Sequence, residues 1–529
     1  MNDYLNTGNE SFQRALRARI YVDKTGMIEY TNSVLGTDDA FICVSRPRRF
    51  GKSMAANMLA AYYDRSCDSS TLFCGRKAEK LPDFKTHLNQ YDVIFLNIQQ
   101  ILSAAGNADL VPQFIQSAVI HELHNAYPES VSADDSYLPS ALASIYKKDT
   151  RLHKGFVFIV DEWDCMFREA KDHTNAQKHY LDFLKDLFKD RTYVALAYMT
   201  GILPIKKYGS HSALNIFSEF SMTDPSVFAE YTGFTEEEVI SLCSTYEKDF
   251  DEVRQWYDGY RFAENLHIYN PKSVVDGMKS RKLKSFWTKT ETYEALQLYI
   301  DLDMDGLKQA LIGMLGGNSC AIDVRTFQND MTSLKSRDDI LTLLVHLGYL
   351  AYDEISESVS IPNEEIREEF MRAVRTGGRP ELIRAIQLSD HLLQAAVQMN
   401  SSEVGRILED VHRSIASPDF YNNEQALRST IRFAFLSSMD EFVTIQELPS
   451  GNGYADIVFL PFKHSDKPIL VVELKWDKST ADAIEQIKRR QYPEILQAHG
   501  SDILLIGINY SKRSKKHTCI IERHTKSAE

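Results

Sequence analysis

Paired cysteines are missing from this chain. Its seven cysteines (Cys43, Cys67, Cys74, Cys165, Cys243, Cys320, Cys519) are odd in number and scattered, with no CxxC spacing among them. That excludes a zinc ribbon or a disulfide ladder and fits reduced thiols. Long apolar runs are missing as well: none approaches the ~18 residues of a membrane span. The opening MNDYLNTGNESFQRALRAR has no apolar stretch of signal-peptide type. The expectation is a soluble cytoplasmic protein with no membrane attachment. Nor is there an excess of positive charge. A net charge of −14 excludes a chain that coats nucleic acid over its whole surface. Residues 463–529 run against this trend, with 13 Lys or Arg against 9 Asp or Glu, a balance of +4 that leaves −18 elsewhere. Nucleic-acid contact would therefore be local, and the alternative for such a basic stretch is a solvated face. Internal repeats and long low-complexity segments are absent too.

What is present is ordinary globular material. At about 100 to 200 residues per domain, the 529 residues suggest roughly three domains. Hydrophobic residues at 43% and charged residues at 25% supply several cores. Between residues 40 and 220 the runs AFICV, DVIFLNI, GFVFIVDEWD and TYVALAYMTG lack polar alternation, as buried parallel strands do. Helix-patterned segments such as KSMAANMLAAYYD separate them, which predicts a layered α/β domain with its ligand at the carboxyl ends of the strands. From 225 to 350 the pattern is mostly helical, opening at Thr235 before three glutamates, a good N-terminal cap. ILTLLVHLGYLAYDEISESVSIP then reads as a helix and a two-stranded ribbon, either a small winged helix or a lid on the first domain. A helical connector follows, broken at Thr376-Gly377-Gly378. After Pro418 come a further helix, the strands FVTIQELP, GYADIVFLPF, PILVVELKW and DILLIGINY, and the helix TADAIEQIKRRQYPEILQ before the last of them.

The first chemical pattern is SRPRRFGKS (45–53), set between a buried strand and a helix. Backbone N–H groups at such a junction cradle phosphate oxygens. Gly51 permits close backbone approach, Lys52 reaches terminal phosphates, and the Ser53 hydroxyl can ligate Mg²⁺. The pattern is normally GxxxxGK[ST]; here Arg46 stands where its first glycine would be. Arg48, Arg49 and Phe50 complete the candidate ATP-binding loop, the two arginines lying near phosphates or simply in solvent. Asp161 and Glu162 end the strand GFVFIVDEWD, where an acid holds the Mg²⁺ shell and a following glutamate polarises the attacking water. Acids also end strands merely because the chain reaches solvent. Thr200, ending TYVALAYMT, is either a γ-phosphate sensor or a satisfied strand-end hydroxyl.

Together VDKTGMIEY, SRPRRFGKS, DEWD, MTGILPIKK, WYDGYRF and IYNP resemble the AAA-ATPase-like family, whose members pair this ATPase with a C-terminal PD-(D/E)xK nuclease-like domain. The resemblance implies that RPRRFGKS is the family's own form of the loop and places Asp23 and Lys24 near the nucleotide. Arg261 is a candidate sensor, and no arginine finger is identifiable. A homo-oligomer would be in keeping with such a family.

The second pattern is Asp456 followed by Glu473-Leu474-Lys475. On an extended strand Glu473 and Lys475 share one face while Leu474 points to the other. Two carboxylates and the Leu474 carbonyl make an oxygen-rich site suited to Mg²⁺ or Mn²⁺, with Lys475 orienting water or neutralising developing charge. The alternative is a cross-strand ion pair on a solvated face. The order helix, strand, strand, helix resembles the PD-(D/E)xK family, which implies Glu424 as an additional acid and Gln486 as an auxiliary residue. Ala455 stands where that signature has proline. Lys488-Arg489-Arg490 and the cluster from Lys512 to Lys516 would face phosphates or solvent.

The expected protein is thus α/β: a P-loop NTPase three-layer core (1–222), a helical, winged-helix-like lid (223–362), a helical connector (363–417) and a PD-(D/E)xK nuclease-like α/β domain (418–529). The expected function is ATP binding and hydrolysis coupled to metal-dependent cleavage of DNA or RNA. The alternatives are a nucleotide-gated binder of nucleic acid with an inactive nuclease core, and an ATPase scaffold for protein partners.

Overall fold

The computed structural model describes residues 2–148, 154–205, 214–262, 266–287, 306–327, 336–376, 380–415, 442–450, 453–461, 466–489 and 502–524, with isolated positions between them. These form two compact units, Met1–Glu291 with Ala321–Ile366, and Thr292–Cys320 with Arg367–Glu529.

In the first unit the four apolar runs become β1 (Phe41–Ser45), β2 (Asp92–Asn97), β3 (Phe156–Asp161) and β4 (Val194–Gly201), joined by β5 (Ser218–Phe220). All pair in parallel, in the order β2-β3-β4-β1-β5. Every residue of β3 and β4 is buried, because helices cover both faces, and two separate apolar clusters flank the sheet. The consequence for function is positional. β4 lies between β1 and β3, so the tips of the loop-bearing strand and the acidic strand open on the same edge.

Beyond the sheet, β6 (Phe234–Thr235) ends at the expected cap. Thr235 Oγ1 accepts the Glu238 N–H at 3.4 Å, and Glu238 Oε2 accepts the Thr235 N–H at 2.9 Å, starting the helix Glu236–Tyr246. This reciprocal box satisfies two N–H groups that a helix start leaves open. β7 (Tyr260–Phe262) and β8 (Leu266–Tyr269) pair antiparallel, and β8 also pairs with β6. A short β9 (Cys320–Ala321) precedes the expected helix, Arg337–Leu347, and the expected ribbon, β10 (Ala351–Asp353) with β11 (Ser358–Ser360).

The stretch WYDGYRF fastens these pieces to one another and to the loop after β1. The Tyr257 hydroxyl donates to the Lys284 carbonyl at 3.0 Å, Asp258 accepts from His267 at 2.8 Å, and the Asp258 carbonyl accepts from Asn363 at 2.7 Å. The Tyr260 hydroxyl donates to the Gly348 carbonyl at 2.5 Å, while its ring meets Phe50 edge-on at 5.4 Å. Gly259 makes the crossing feasible: it sits at φ +119°, and a Cβ there would lie 2.0 Å from the Pro362 carbonyl oxygen.

In the second unit β12 (Phe442–Ser450), β13 (Gly453–Pro461), β14 (Ile469–Trp476), β15 (Ile503–Ser511) and β16 (Lys516–Arg523) form one sheet in chain order. Only β14 and β15 run parallel, because the helix Thr480–Arg489 crosses between them. Ile484 and Ile487 of that helix pack on Ile469 and Val471, the strand face that also carries Glu473 and Lys475. No described helix is long and apolar enough to cross a membrane.

Substituting Gly259→Ala adds both a left-handed backbone penalty and a backbone clash. The expected loss is about 2–4 kcal/mol of unfolding free energy, read by chemical denaturation of the full chain followed by tryptophan fluorescence. An unchanged midpoint would contradict this account of the motif.

Candidate functional site

The loop after β1 turns on two left-handed residues, Arg49 at φ +68° and Gly51 at φ +90°. The second needs glycine, and it caps the helix Lys52–Tyr63. A cavity of about 420 Å³ opens there, its walls carrying Arg48, Arg49, Gly51, Lys52, Ser53 and Glu162, with Arg168, Gln99 and Met54. Four cations against one carboxylate, at a helix start, suit a polyphosphate. Lys52 is 4% exposed, and its ammonium donates to the Arg46 and Pro47 carbonyls, both at 2.9 Å. Burial lowers its pKa, opposed chiefly by Glu162.

Arg46, in place of the usual glycine, does not face the cavity. Its side chain is fully buried and points behind the loop. One guanidinium nitrogen donates to the Ser45 and Phe220 carbonyls at 2.9 and 2.8 Å, and the group lies 5.1 Å from the Phe262 ring centroid. Burial brings its pKa down to about 9. Phe50, expected in the cofactor site, also turns its side chain inward, 1% exposed, and its carbonyl accepts from Gly233 at 2.9 Å.

The strand tips hold the acids. Asp161 is 2% exposed and accepts from Thr200 Oγ1 at 2.5 Å and from Asn97 at 3.3 Å. The Thr200 hydroxyl is thus taken up by Asp161, and neither residue lines the cavity; of the two readings of Thr200, the satisfied hydroxyl describes its contacts. Glu162, at φ +58°, does line the cavity and is ion-paired with Arg168. Its pKa is raised by burial, against the pull of Lys52 and Arg168. Asp164 is a brace: it accepts the Ile202 and Leu203 N–H groups at 3.1 and 2.9 Å and Arg168 Nε at 3.0 Å.

In the second unit, antiparallel β13 and β14 bring the other carboxylates together. Asp456 Oδ2 accepts the Leu474 N–H at 2.8 Å, so Asp456 reaches the residue next to Glu473. Glu473 Oε1 takes Lys475 Nζ at 3.1 Å and the Gln486 amide, while Gln486 Oε1 accepts from the same lysine at 2.7 Å. Asp456, Glu473 and Lys475 are 8%, 2% and 8% exposed, so this is no solvated cross-strand pair. Asp456 also pairs with Arg428 at 2.5 Å. Glu424 lies outside the described residues. Among those described, no group of three or more His, Cys, Asp or Glu is placed to hold a metal; the donors at hand are Asp456, Glu473 and the Leu474 carbonyl. These hard oxygens have the chemistry of a Mg²⁺ or Mn²⁺ site, with Arg428 standing as a cation where Asp456 would otherwise need one.

Comparison with known proteins matches residues 7–210 to a family model described as predicted AAA-ATPase, AAA-ATPase-like. Residues 422–519 match that of the PD-(D/E)XK nuclease superfamily. The chain joins an AAA-ATPase-like domain to a PD-(D/E)XK nuclease-like domain. An uncharacterized protein of the vnfD 5′ region of Azotobacter chroococcum is 22% identical over 530 residues, 94% of this chain and 93% of that one. Among solved structures, the Walker-type ATPase of Pyrococcus abyssi is similar at TM-score 0.32 and 10% identity over 66% of this chain and 94% of its own. The ORC2 protein of Aeropyrum pernix follows at TM-score 0.23 and 10% identity, over 66% and 92%.

In this AAA-ATPase-like domain, Asp23 and Lys24 are not at the cavity beside Lys52, although the family resemblance put them near the nucleotide. Asp23 accepts from Thr25 and from the Lys77 N–H at 2.8 Å; Lys24 donates to Glu238 and to the Glu230 carbonyl, both at 2.6 Å. Arg261 is exposed on β7 and off the cavity wall. Sequence reading missed Arg168, Gln99 and Met54. Only Arg168 left a signal, being four residues after Asp164 at the spacing of a helical ion pair.

Because Arg168 holds the Glu162 carboxyl down against burial, Arg168→Gln should raise the Glu162 pKa further. Carboxyl-carbon NMR titration, with Glu162→Gln to assign the signal, reads this; an unmoved or lowered midpoint would contradict the pairing.

Proposed function

We propose that the first unit binds ATP with Mg²⁺ and hydrolyses it, and that the C-terminal domain cleaves nucleic-acid phosphodiester bonds, its action gated by nucleotide. The observation that carries the first half is the cationic cavity holding Lys52 and Ser53 on one wall and Glu162 on another. In this division of labour 1–222 turns over nucleotide, 223–362 acts as its lid, 363–417 connects and 418–529 cuts.

A triphosphate entering the cavity competes for two cations already engaged. Lys52 exchanges the Arg46 and Pro47 carbonyls for phosphate oxygens, an anionic acceptor in place of neutral ones. Arg168 is drawn towards the phosphates and away from Glu162, which leaves that carboxylate able to take a proton from water. Ser53 would hold Mg²⁺ at this site, supported by Asp161 from behind the cavity wall, and Asp456, Glu473 and the Leu474 carbonyl would hold a divalent cation at the other. When bound, such ions supply charge neutralisation at phosphate oxygens and a more acidic water. At the second site Lys475, fixed by Glu473 and Gln486, is set to orient a nucleophile or meet charge on the scissile phosphate.

One contact favours a second reading. Arg428 on Asp456 supplies positive charge from within the protein, as a nuclease core that binds without cutting would need.

Lys52→Ala should lower ATP turnover by about 10² or more, and Glu162→Gln by a similar factor. Burial of Glu162 should set the acid limb of wild-type turnover above the usual carboxylate range. A panel of single- and double-stranded DNA and RNA with Mg²⁺ or Mn²⁺ tests the other half. Cleavage should be lost in Glu473→Ala and Lys475→Ala; no cleavage of any form by the wild type would favour the non-cutting reading.

A further inference from the structure

Beside the phosphate cavity lies a second concavity, of about 510 Å³, that the proposed chemistry does not use. Arg49, Lys272, Lys279, Lys284, Asp276 and Phe286 line it. It is built by the helix Pro271–Lys279 and the extended segment after it, PKSVVDGMKSRKLKSF in full. That stretch carries Lys272, Lys279, Arg281, Lys282 and Lys284 against one acid, Asp276, in a chain whose net charge is −14.

The fold, rather than chance exposure, gathers these cations. Val274, Met278, Leu283 and Phe286 are buried in one apolar cluster, while Lys272, Lys279 and Lys284 reach the groove, with Phe286 at its wall. The backbone is pinned at both ends. Asn270 caps the helix by accepting the Lys272 and Ser273 N–H groups, the Tyr257 hydroxyl donates to the Lys284 carbonyl, and Lys248 donates to the Ser280 carbonyl at 2.5 Å. Asp276 offsets Lys272 at 2.8 Å. Among the described residues, Lys279, Arg281, Lys282 and Lys284 have no carboxylate partner, and Lys284 rests 5.8 Å from the Phe286 ring centroid. Like charges held this close repel one another, and an anion of matching extent relieves that cost. A small monovalent anion meets one or two of these cations; a chain of phosphates meets them in series.

We propose that this groove binds the phosphate backbone of a nucleic acid. Its open form and the excess of cationic groups over the single carboxylate of Asp276, which is already paired with Lys272, fit contact that positions a strand through its phosphates. Arg49 lines both the groove and the phosphate cavity, which makes the two anion sites neighbours. The inference does not depend on cleavage by the C-terminal domain.

The test is fluorescence anisotropy on the full chain in EDTA, with labelled duplex DNA and single-stranded RNA of about 30 units and a series of salt concentrations. Lys279→Glu/Lys284→Glu should weaken binding about tenfold or more and reduce the salt slope by about two. Its ATP turnover without nucleic acid should stay at the wild-type level. The charge-matched Arg14→Glu/Arg17→Glu pair, on exposed positions of another helix, should change affinity by less than about twofold. Matched thermal transitions confirm that both variants fold. Unchanged affinity and slope in the groove variant, or an equal loss in the Arg14/Arg17 variant, would overturn the proposal. Loss confined to inorganic polyphosphate, with nucleic-acid binding intact, would also overturn it and assign the groove to a free polyphosphate.

Discussion

A guanidinium sealed beneath the phosphate loop sets the shape of the first unit. Arg46 ties the end of β1 to the Phe220 carbonyl of β5 through its side chain, and its backbone N–H donates to the Gly201 carbonyl of β4 at 3.0 Å. Pro47 and Phe50 extend the same attachment outward. A Cβ on Gly348 would lie 2.8 Å from Pro47, and Phe50 packs on Tyr260. Burying a cation costs several kcal/mol. Two charge-assisted bonds and a ring contact offset part of that cost, while Nε and Nη2 have no hydrogen-bond partner among the described residues. Arg46 therefore contributes position more than net stability: it fixes where Lys52 and Gly51 stand relative to the acids of β3.

The same logic of neutralised charge runs through both candidate centres. Near the front, Glu162 is balanced by Arg168 and Lys52 is satisfied by loop carbonyls. Near the back, Asp456 is balanced by Arg428 and Glu473 by Lys475. Each centre is closed on itself, and each would open by exchanging an internal partner for a phosphate or a metal. In the proposed function these three ion pairs hold the carboxylates until a phosphate or a cation displaces a partner.

Much of this was legible in the sequence where the physical signal is local. Apolar runs without alternation marked the strands of the parallel sheet, Thr235 with Glu238 marked a helix start, and period two put Glu473 and Lys475 on one face. The strand order was not legible, since it depends on pairing between distant segments. Nor was the direction of Arg46, which the loop pattern alone reads as a missing glycine; the Phe220 carbonyl and the Phe262 ring, both far along the chain, explain it. Thr200 shows the limit from the other side: a hydroxyl at a strand end suits a phosphate or a carboxylate equally, and its neighbour Asp161 decides. Arg428 left no signal, since a single arginine in a helix pattern is most often a solvated charge.

Restoring the usual pattern tests this directly. Nucleotide affinity by calorimetric titration, with the thermal transition alongside, should be measured for the wild type and Arg46→Gly. If Arg46 is the anchor that places the loop, the glycine variant binds ATP about tenfold more weakly or worse while still folding cooperatively. Equal or tighter ATP binding by a folded glycine variant would contradict it.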